Sequence, residues 1–223
     1  MANAVKKKEE TNIVAFDPSL FEQDAGKGLN NLGADDLSIP FLRILQDTND
    51  EVKKRNSKYI EGAEPGMMFN SVTKQLYDGE QGLNVIPCAY KRELIEWMDR
   101  GKGTGAPVNF HPVSSNILSQ TTRDDQNRDR LGNGNYIEDT ANHFVLILND
   151  DGTYDQALIA MSRTQRKVSK RWNSLMLGLK LKGKKGMFNP PSYSHVYKLT
   201  SFADSNDQGN WFGWEVQRVG PVE

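Results

Sequence analysis

One segment of this chain has the pattern of an amphipathic helix, and strand-like segments lie on both sides of it. Residues 162–179 open with Ser162-Arg163-Thr164-Gln165, which fits the S-x-x-Q capping box of a helix start. At helical spacing, the apolar side chains that share one arc predict a core-facing side, and they are Val168, Trp172, Leu175, Met176 and Leu179. The cations on the opposite side are Arg163, Arg166, Lys167, Lys170 and Arg171.

The segments around this helix have the composition and partial alternation of β-strands. They span residues 82–97, 143–149, 153–161, 194–202 and 210–219. The first is long and contains Pro87, which predicts a bulge or an edge, and a small closed barrel requires a strand that bends. Asp150-Asp151-Gly152 predicts a hairpin turn between the second and third segments. The order strand, strand, strand, helix, strand, strand predicts a β-rich α+β fold, namely a five-stranded barrel of the oligonucleotide-binding (OB) type.

The other segments predict how the domain is organised. Residues 1–35 mix charges, Gly and Asn without a steady period, which predicts a flexible N-terminal arm. Residues 36–223 then form a single OB-like domain, in which Pro40 opens a short helix. Residues 99–142 are rich in Gly, Asn, Ser, Thr and Asp and predict a long loop between the first and second strands. The basic residues that we expect this loop to present are Arg123, Arg128 and Arg130.

The basic residues of the chain are unevenly distributed. The formal net charge is -1, yet the segment from Gln156 to Ala203 contains ten basic residues and no Asp or Glu. A long acid-free segment in a nearly neutral chain predicts a polyanionic partner, although a solvated basic surface or an acidic protein partner would also fit. Besides the helix cations, the residues of this segment that we expect to contact phosphates are Lys180, Lys182, Lys184 and Lys185.

Aromatic residues accompany these cations. Proteins that bind single strands combine a cationic groove for the phosphates with ring faces on which bases stack, at about 1–3 kcal/mol per stacked base. The rings that we expect to stack are Tyr197, Trp211, Trp214 and Phe188, and further candidates are Tyr90, Trp97 and Tyr193. Core packing is the alternative for each ring, and for Trp172 we expect it.

Signals for catalysis, metals and membranes are weak. His111, His143 and His195 lack the spacing of metal ligands, so we expect no catalytic residue, no metal and no cofactor. Two acidic pairs, Asp35-Asp36 and Asp124-Asp125, could hold Mg²⁺ in a nuclease, but such pairs in polar loops are typical of caps and turns. The absence of a long apolar run and of a secretory signal predicts an intracellular protein without a membrane partner.

Several stretches resemble a family of bacteriophage single-stranded DNA-binding proteins. They include GADDLSIPFLRILQ, VIPCAYKRELIEW, HFVLILNDDG, SRTQRKVSKRWNSLM and NWFGWEV. The resemblance implies a role in phage DNA replication and recombination in the cytoplasm of the infected cell, with replication or recombination proteins as further partners.

The residues and this resemblance together predict a non-catalytic protein that binds single-stranded DNA without sequence preference. A protein-interaction module that binds a host or replisome protein is the alternative, and a metal-dependent nuclease is a more distant one. The sequence leaves the oligomeric state open, as well as the preference for DNA over RNA.

Overall fold

The structure is a computed structural model that describes residues 36–99, 101–207 and 209–222, together with Ser19, Glu22 and Lys27. Contacts divide the chain into two units, Met1–Ser38 and Ile39–Glu223. Apart from those three residues, the predicted arm over 1–35 lies outside the described residues. All the features that follow belong to the second unit.

The described residues form thirteen strands and one α-helix. In chain order the elements are β1 (Leu42–Ile44), β2 (Met68–Asn70), β3 (Leu76–Tyr77), β4 (Leu83–Trp97), β5 (Asn109–Pro112), β6 (Thr121–Arg123), β7 (Asp129–Leu131), β8 (Tyr136–Leu148), β9 (Tyr154–Met161), α1 (Arg166–Leu177), β10 (Leu181–Gly183), β11 (Gly186–Phe188), β12 (His195–Asn206) and β13 (Gly209–Pro221). No helix in the described ranges has the length and apolar character needed to cross a bilayer.

Eight of these strands form one curled antiparallel sheet. The order is β13-β12-β4-β8-β7-β6, while β5 pairs with β4 and β9 pairs with β8. The long strand β4 shifts its register against β8 between Pro87 and Ala89, which confirms the bulge predicted near Pro87. The inner face of the sheet carries the main core, which includes Val85, Ile147 and Leu199.

The predicted five-stranded OB barrel is wrong, because the sheet is an eight-stranded half-barrel. Its strands β9 and β13 are not paired with each other in the described part of the chain. Two residues of the segment before β2 contact these strands instead. Phe41 forms a parallel bridge with Leu158 of β9, and the Gln46 amide exchanges two hydrogen bonds, of 2.9 and 2.8 Å, with the main chain of Phe212 in β13.

Two local predictions are wrong, because both segments contain strands. The segment 99–142 is not a loop, since it contains β5, β6, β7 and the first half of β8. The predicted helix after Pro40 is strand β1, in which Leu42 and Ile44 are buried while Arg43 between them forms an ion pair with Glu51. That alternation is the period of a strand with one face on the core.

The amphipathic helix is confirmed as α1, preceded by a 3₁₀ turn over Arg163–Gln165. Trp172 is fully buried on its inner face, where Val168, Leu175 and Met176 also pack against the core. The capping box does not form: Ser162 makes no side-chain cap, and Gln165 Oε1 accepts a hydrogen bond of 2.9 Å from the main-chain N–H of Trp214. The start of the helix is therefore fixed to β13.

Candidate nucleic-acid interface

The cations predicted to contact phosphates fall into two groups, according to whether an acid faces them. The arginines that form ion pairs are Arg123, Arg128, Arg130, Arg163 and Arg166. The exposed cations that form no ion pair or hydrogen bond within the described residues are Lys167, Lys170, Arg171, Lys182, Lys184 and Lys185. We call these six residues the cation strip. Lys180 is separate, because its ammonium group contacts Asn189 Oδ1.

The first half of the cation strip is one face of α1. Lys167, Lys170 and Arg171 stand three and four residues apart, so they are neighbours on the surface of the helix. The helix sequence RKVSKRWNSLML contains no acidic residue that could pair with them. Because Trp172 anchors the opposite face in the core, these three cations point away from the sheet.

The second half of the strip is the hairpin formed by β10 and β11. Lys184 and Lys185 form the turn between the paired residues Gly183 and Gly186, and Lys182 lies opposite Met187. The Asn189 side-chain amide ties the hairpin to the end of the helix, since it donates hydrogen bonds to the carbonyls of Leu177 and Leu179. The hairpin and its cations therefore lie at the C-terminal end of α1.

The four rings predicted to stack on bases differ in how much of their surface is exposed. Tyr197 is completely buried and Trp214 is 4% exposed, because alternate residues of β12 and β13 face the core. Both rings belong to the core and offer no face to a base. Trp211 is partly buried beside a separate cleft. Phe188, on the hairpin, is 47% exposed and remains available.

Two further aromatic residues are exposed, one in the turn after the hairpin and one on β4. Tyr193 is 60% exposed and lies in the turn that follows β11, while Tyr90 on β4 is 42% exposed. Ser192 Oγ donates a hydrogen bond of 3.2 Å to the carbonyl of Cys88. This contact holds the turn of Tyr193 against the β4 bulge, only two residues from Tyr90. Phe188 and Tyr193 are thus exposed rings close to the hairpin in sequence, and Tyr90 lies near the turn that contains Tyr193.

A buried stack of rings fixes α1 on the sheet. His143 of β8 stacks on Trp172 with ring centroids 4.5 Å apart and an interplanar angle of 16°. Tyr90 and Tyr197 continue the cluster, since Tyr90 contacts His143 and Tyr197 contacts Trp172. His143 Nε2 lies 2.8 Å from Ser169 Oγ on the helix. Burial, together with the nearby positive charge of Arg166, lowers the pKa of His143 to about 4.

This buried histidine predicts a loss of stability in mild acid. In the unfolded chain the pKa of His143 is near 6.5, so between about pH 6.5 and 4 the unfolded state binds a proton that the folded state does not. The free energy of unfolding should therefore be highest above pH 6.5 and should decrease by about 3 kcal/mol as the pH falls through this window. The carboxylates whose pKa is lowered, such as Asp139, add to this loss only below about pH 4.

Urea denaturation at intervals between pH 7 and pH 4.5 measures this effect. His143→Gln keeps a polar side chain beside Ser169 but cannot titrate, so the pH dependence in this window should flatten. If the variant and the parent chain lose stability equally, His143 is not the group responsible.

The paired arginines have a structural explanation. Arg128 and Arg130 both contact Asp99 and Asp124 at distances near 3 Å, and the Arg128 guanidinium lies 5.3 Å from the centre of the Tyr136 ring. Hydrogen bonds from the main-chain N–H of Arg128 and from both guanidinium groups hold the pKa of Asp124 well below its usual range. This network stabilises the β6–β7 hairpin, and it uses the Asp124 oxygens that a metal ion would need. In the described ranges, no three His, Cys, Asp or Glu side chains converge as they would around a metal ion.

Sequence reasoning missed the ion pairs of Arg163 and Arg166 because their acids are remote in the chain and belong to another element. Arg163 Nε lies 2.7 Å from Glu138 Oε1, and Arg166 Nε lies 3.3 Å from Asp139 Oδ1. Both acids are on β8, some 25 residues before the helix. An acid-free stretch of sequence therefore identifies where cations are concentrated but not which of them lack a partner.

Comparison with known proteins identifies a family without assigning an activity. A family model described as Pam3 phage gp34-like protein matches residues 8–223. No curated protein and no solved structure matches the chain.

Proposed function

We propose that this chain, which belongs to the Pam3 phage gp34-like family, binds single-stranded DNA without sequence preference. One observation supports the proposal most: the six cations of the strip form no ion pair within the described residues, and the exposed ring of Phe188 lies on the hairpin that carries three of them. When unpaired protein cations bind phosphates, the counterions condensed on the nucleic acid are released into solution. Exposed rings can stack on unpaired bases. Neither contact depends on base identity, so sequence preference should be weak.

The biological role that follows from this proposal is coating of single strands during phage DNA replication or recombination. The work would take place in the cytoplasm of the infected cell, since the family is a phage protein family. In this role the chain holds and protects DNA and catalyses no reaction.

One observation favours a protein partner as the second candidate. Leu177 and Met187 flank the strip with 74% and 65% of their surface exposed, and exposed apolar side chains beside charge also suit a protein groove. A protein-interaction module would bind its partner equally well with and without DNA, whereas a DNA-binding protein would release a competing acidic protein when oligonucleotide is added.

Fluorescence anisotropy with labelled oligo-dT of about 30 nucleotides tests the proposal directly. Six phosphate contacts on a single strand predict a slope near -4 for the logarithm of affinity against the logarithm of salt concentration, or a loss of roughly 300-fold between about 50 and 200 mM salt. A DNA duplex of the same length tests whether the chain prefers single strands. Oligo-rU tests whether it prefers DNA to RNA. Absence of binding to oligo-dT at the lower salt concentration would contradict the proposal.

A further inference from the structure

A cleft of about 800 Å³ lies beside the start of α1, outside the cation strip. Its walls are the β6–β7 hairpin, the first residues of β8, the turn that precedes α1, and the end of the β12–β13 hairpin. The arginines that line it are Arg123, Arg128, Arg163 and Arg166, and the Trp211 ring lines it too. This volume lies within the range of pockets that hold small ligands, about 300–1,000 Å³.

The charges of the cleft are balanced. Arg123, Arg163 and Arg166 face the carboxylates of Asp129, Glu138 and Asp139, while the fourth arginine, Arg128, pairs with Asp99 and Asp124, which do not line the cleft. The side chains of Arg123 and Arg163 are 60% and 59% exposed, although each touches a carboxylate at 2.7 Å. Ion pairs this exposed to water are weak, so these two guanidinium groups can turn from their carboxylates to an incoming anion.

The backbone around the cleft is strained. Among the described residues, the non-glycine residues with positive φ are Lys74, Asn127 and Arg163, and the last two line this cleft. Asn tolerates the left-handed region, whereas Arg at φ +48° is uncommon. Strained residues persist where their surroundings fix them, and they are concentrated at ligand-binding sites.

We infer that this cleft binds a nucleoside phosphate, either a free mononucleotide or one nucleotide of a bound strand. The planar guanidinium groups of Arg123 and Arg163 match the oxygens of a phosphate. The Trp211 ring and the amides of Asn127 and Asn210 provide a ring face and hydrogen-bonding groups for a base. If the ligand is one nucleotide of a bound strand, the inference rests on the proposed function. If the ligand is a free mononucleotide, it does not.

The tryptophan indole signals of the ¹⁵N-labelled full chain report on this cleft. Trp211 Nε1 is buried and has no hydrogen-bond partner within the described residues, and Trp211→Phe assigns its signal. We expect dTMP or a short oligo-dT to shift the Trp211 signal while the core signal of Trp172 stays in place. A shift with dTMP identifies a free mononucleotide as a ligand, and a shift with oligo-dT alone identifies the strand. Two results overturn the inference: a Trp211 signal that neither ligand moves, or an equal shift with inorganic phosphate alone.

A set of variants separates this inference from the proposed function. Arg163→Gly removes the guanidinium and relieves the positive φ, so the chain should fold while the cleft binds about fivefold more weakly, the effect of one phosphate contact. Glu138→Gln frees Arg163 and should strengthen binding. Arg43→Gln is the matched control, because Arg43 on β1 forms an ion pair with Glu51 and neither residue lines the cleft. If oligo-dT still binds in the anisotropy assay but the Trp211 signal does not respond, the cleft inference fails and the proposed function stands. If dTMP binds in the cleft but oligo-dT does not bind the chain, the reverse holds.

Discussion

Replacing Lys167, Lys170 and Arg171 together by glutamine is expected to weaken oligo-dT binding about 100-fold at 0.1 M salt. Each phosphate contact on a single strand contributes roughly 0.7 of a decade in affinity at that salt concentration, so three contacts contribute about two decades. Glutamine retains helix propensity and much of the side-chain length. Because the three cations form no ion pair within the described residues, the thermal midpoint should change little. Fluorescence anisotropy measures the affinity, and circular dichroism checks the fold.

A second triple variant controls for net charge. Lys53, Lys58 and Lys102 are surface lysines that pair with Asp50 or Asp99, away from the strip, and their replacement by glutamine changes the net charge equally. The control should lose much less affinity than the strip variant. If both variants lose affinity alike, then overall charge and not the strip determines binding.

Trp172→Ala is expected to lower the free energy of unfolding by about 3–5 kcal/mol, the cost of truncating a large ring in a closed core. The Trp172 side chain has no exposed surface, and it contacts the rings of both His143 and Tyr197. Its loss leaves a cavity between α1 and the sheet, on the side of the helix opposite the strip cations. Urea denaturation, analysed as a two-state transition, gives the difference.

Leu177→Ala is the matched control on the same helix. Leu177 is 74% exposed, so its truncation should change stability by no more than about 0.5 kcal/mol. A Trp172→Ala chain as stable as the Leu177→Ala chain would mean that α1 does not pack on the sheet through this ring.

Local patterns in the sequence were sufficient to predict the elements whose signal lies within one short segment. The helix face of Trp172 and the hairpin between β8 and β9 both follow from signals confined to one segment. The bulge near Pro87 also follows from a local rule, because proline cannot donate to a sheet ladder. These elements could be predicted because their cause lies in neighbouring residues.

The overall architecture could not be predicted in this way, because strand pairing joins residues that are distant in the chain. Strands β5, β6 and β7 contain only three or four residues each, too few for a period to stand out from the Gly- and Asn-rich background. The contacts of Phe41 with β9 and of Gln46 with β13 join residues more than 100 positions apart, and no local pattern predicts them. A sequence pattern of several strands and one helix is therefore compatible with a five-stranded barrel and with the larger half-barrel.

The candidate site was partly predictable for the same reason. The acid-free segment located the six cations of the strip, but only the folded chain brings Glu138 and Asp139 to Arg163 and Arg166. Tyr197 and Trp214 were candidates for stacking because the sequence does not determine which side of their strands faces the core. The side of a strand that faces the core depends on the register of the sheet, which turns both rings inward.

The salt dependence of oligo-dT binding, compared between the parent chain and a chain in which all six strip cations are glutamine, tests the central claim most directly. The account predicts a slope near -4 for the parent and a slope near zero for the variant, because about 0.7 of an ion is released per phosphate contact. Equal slopes for the two chains would show that the strip does not contact the phosphates, and would contradict the account.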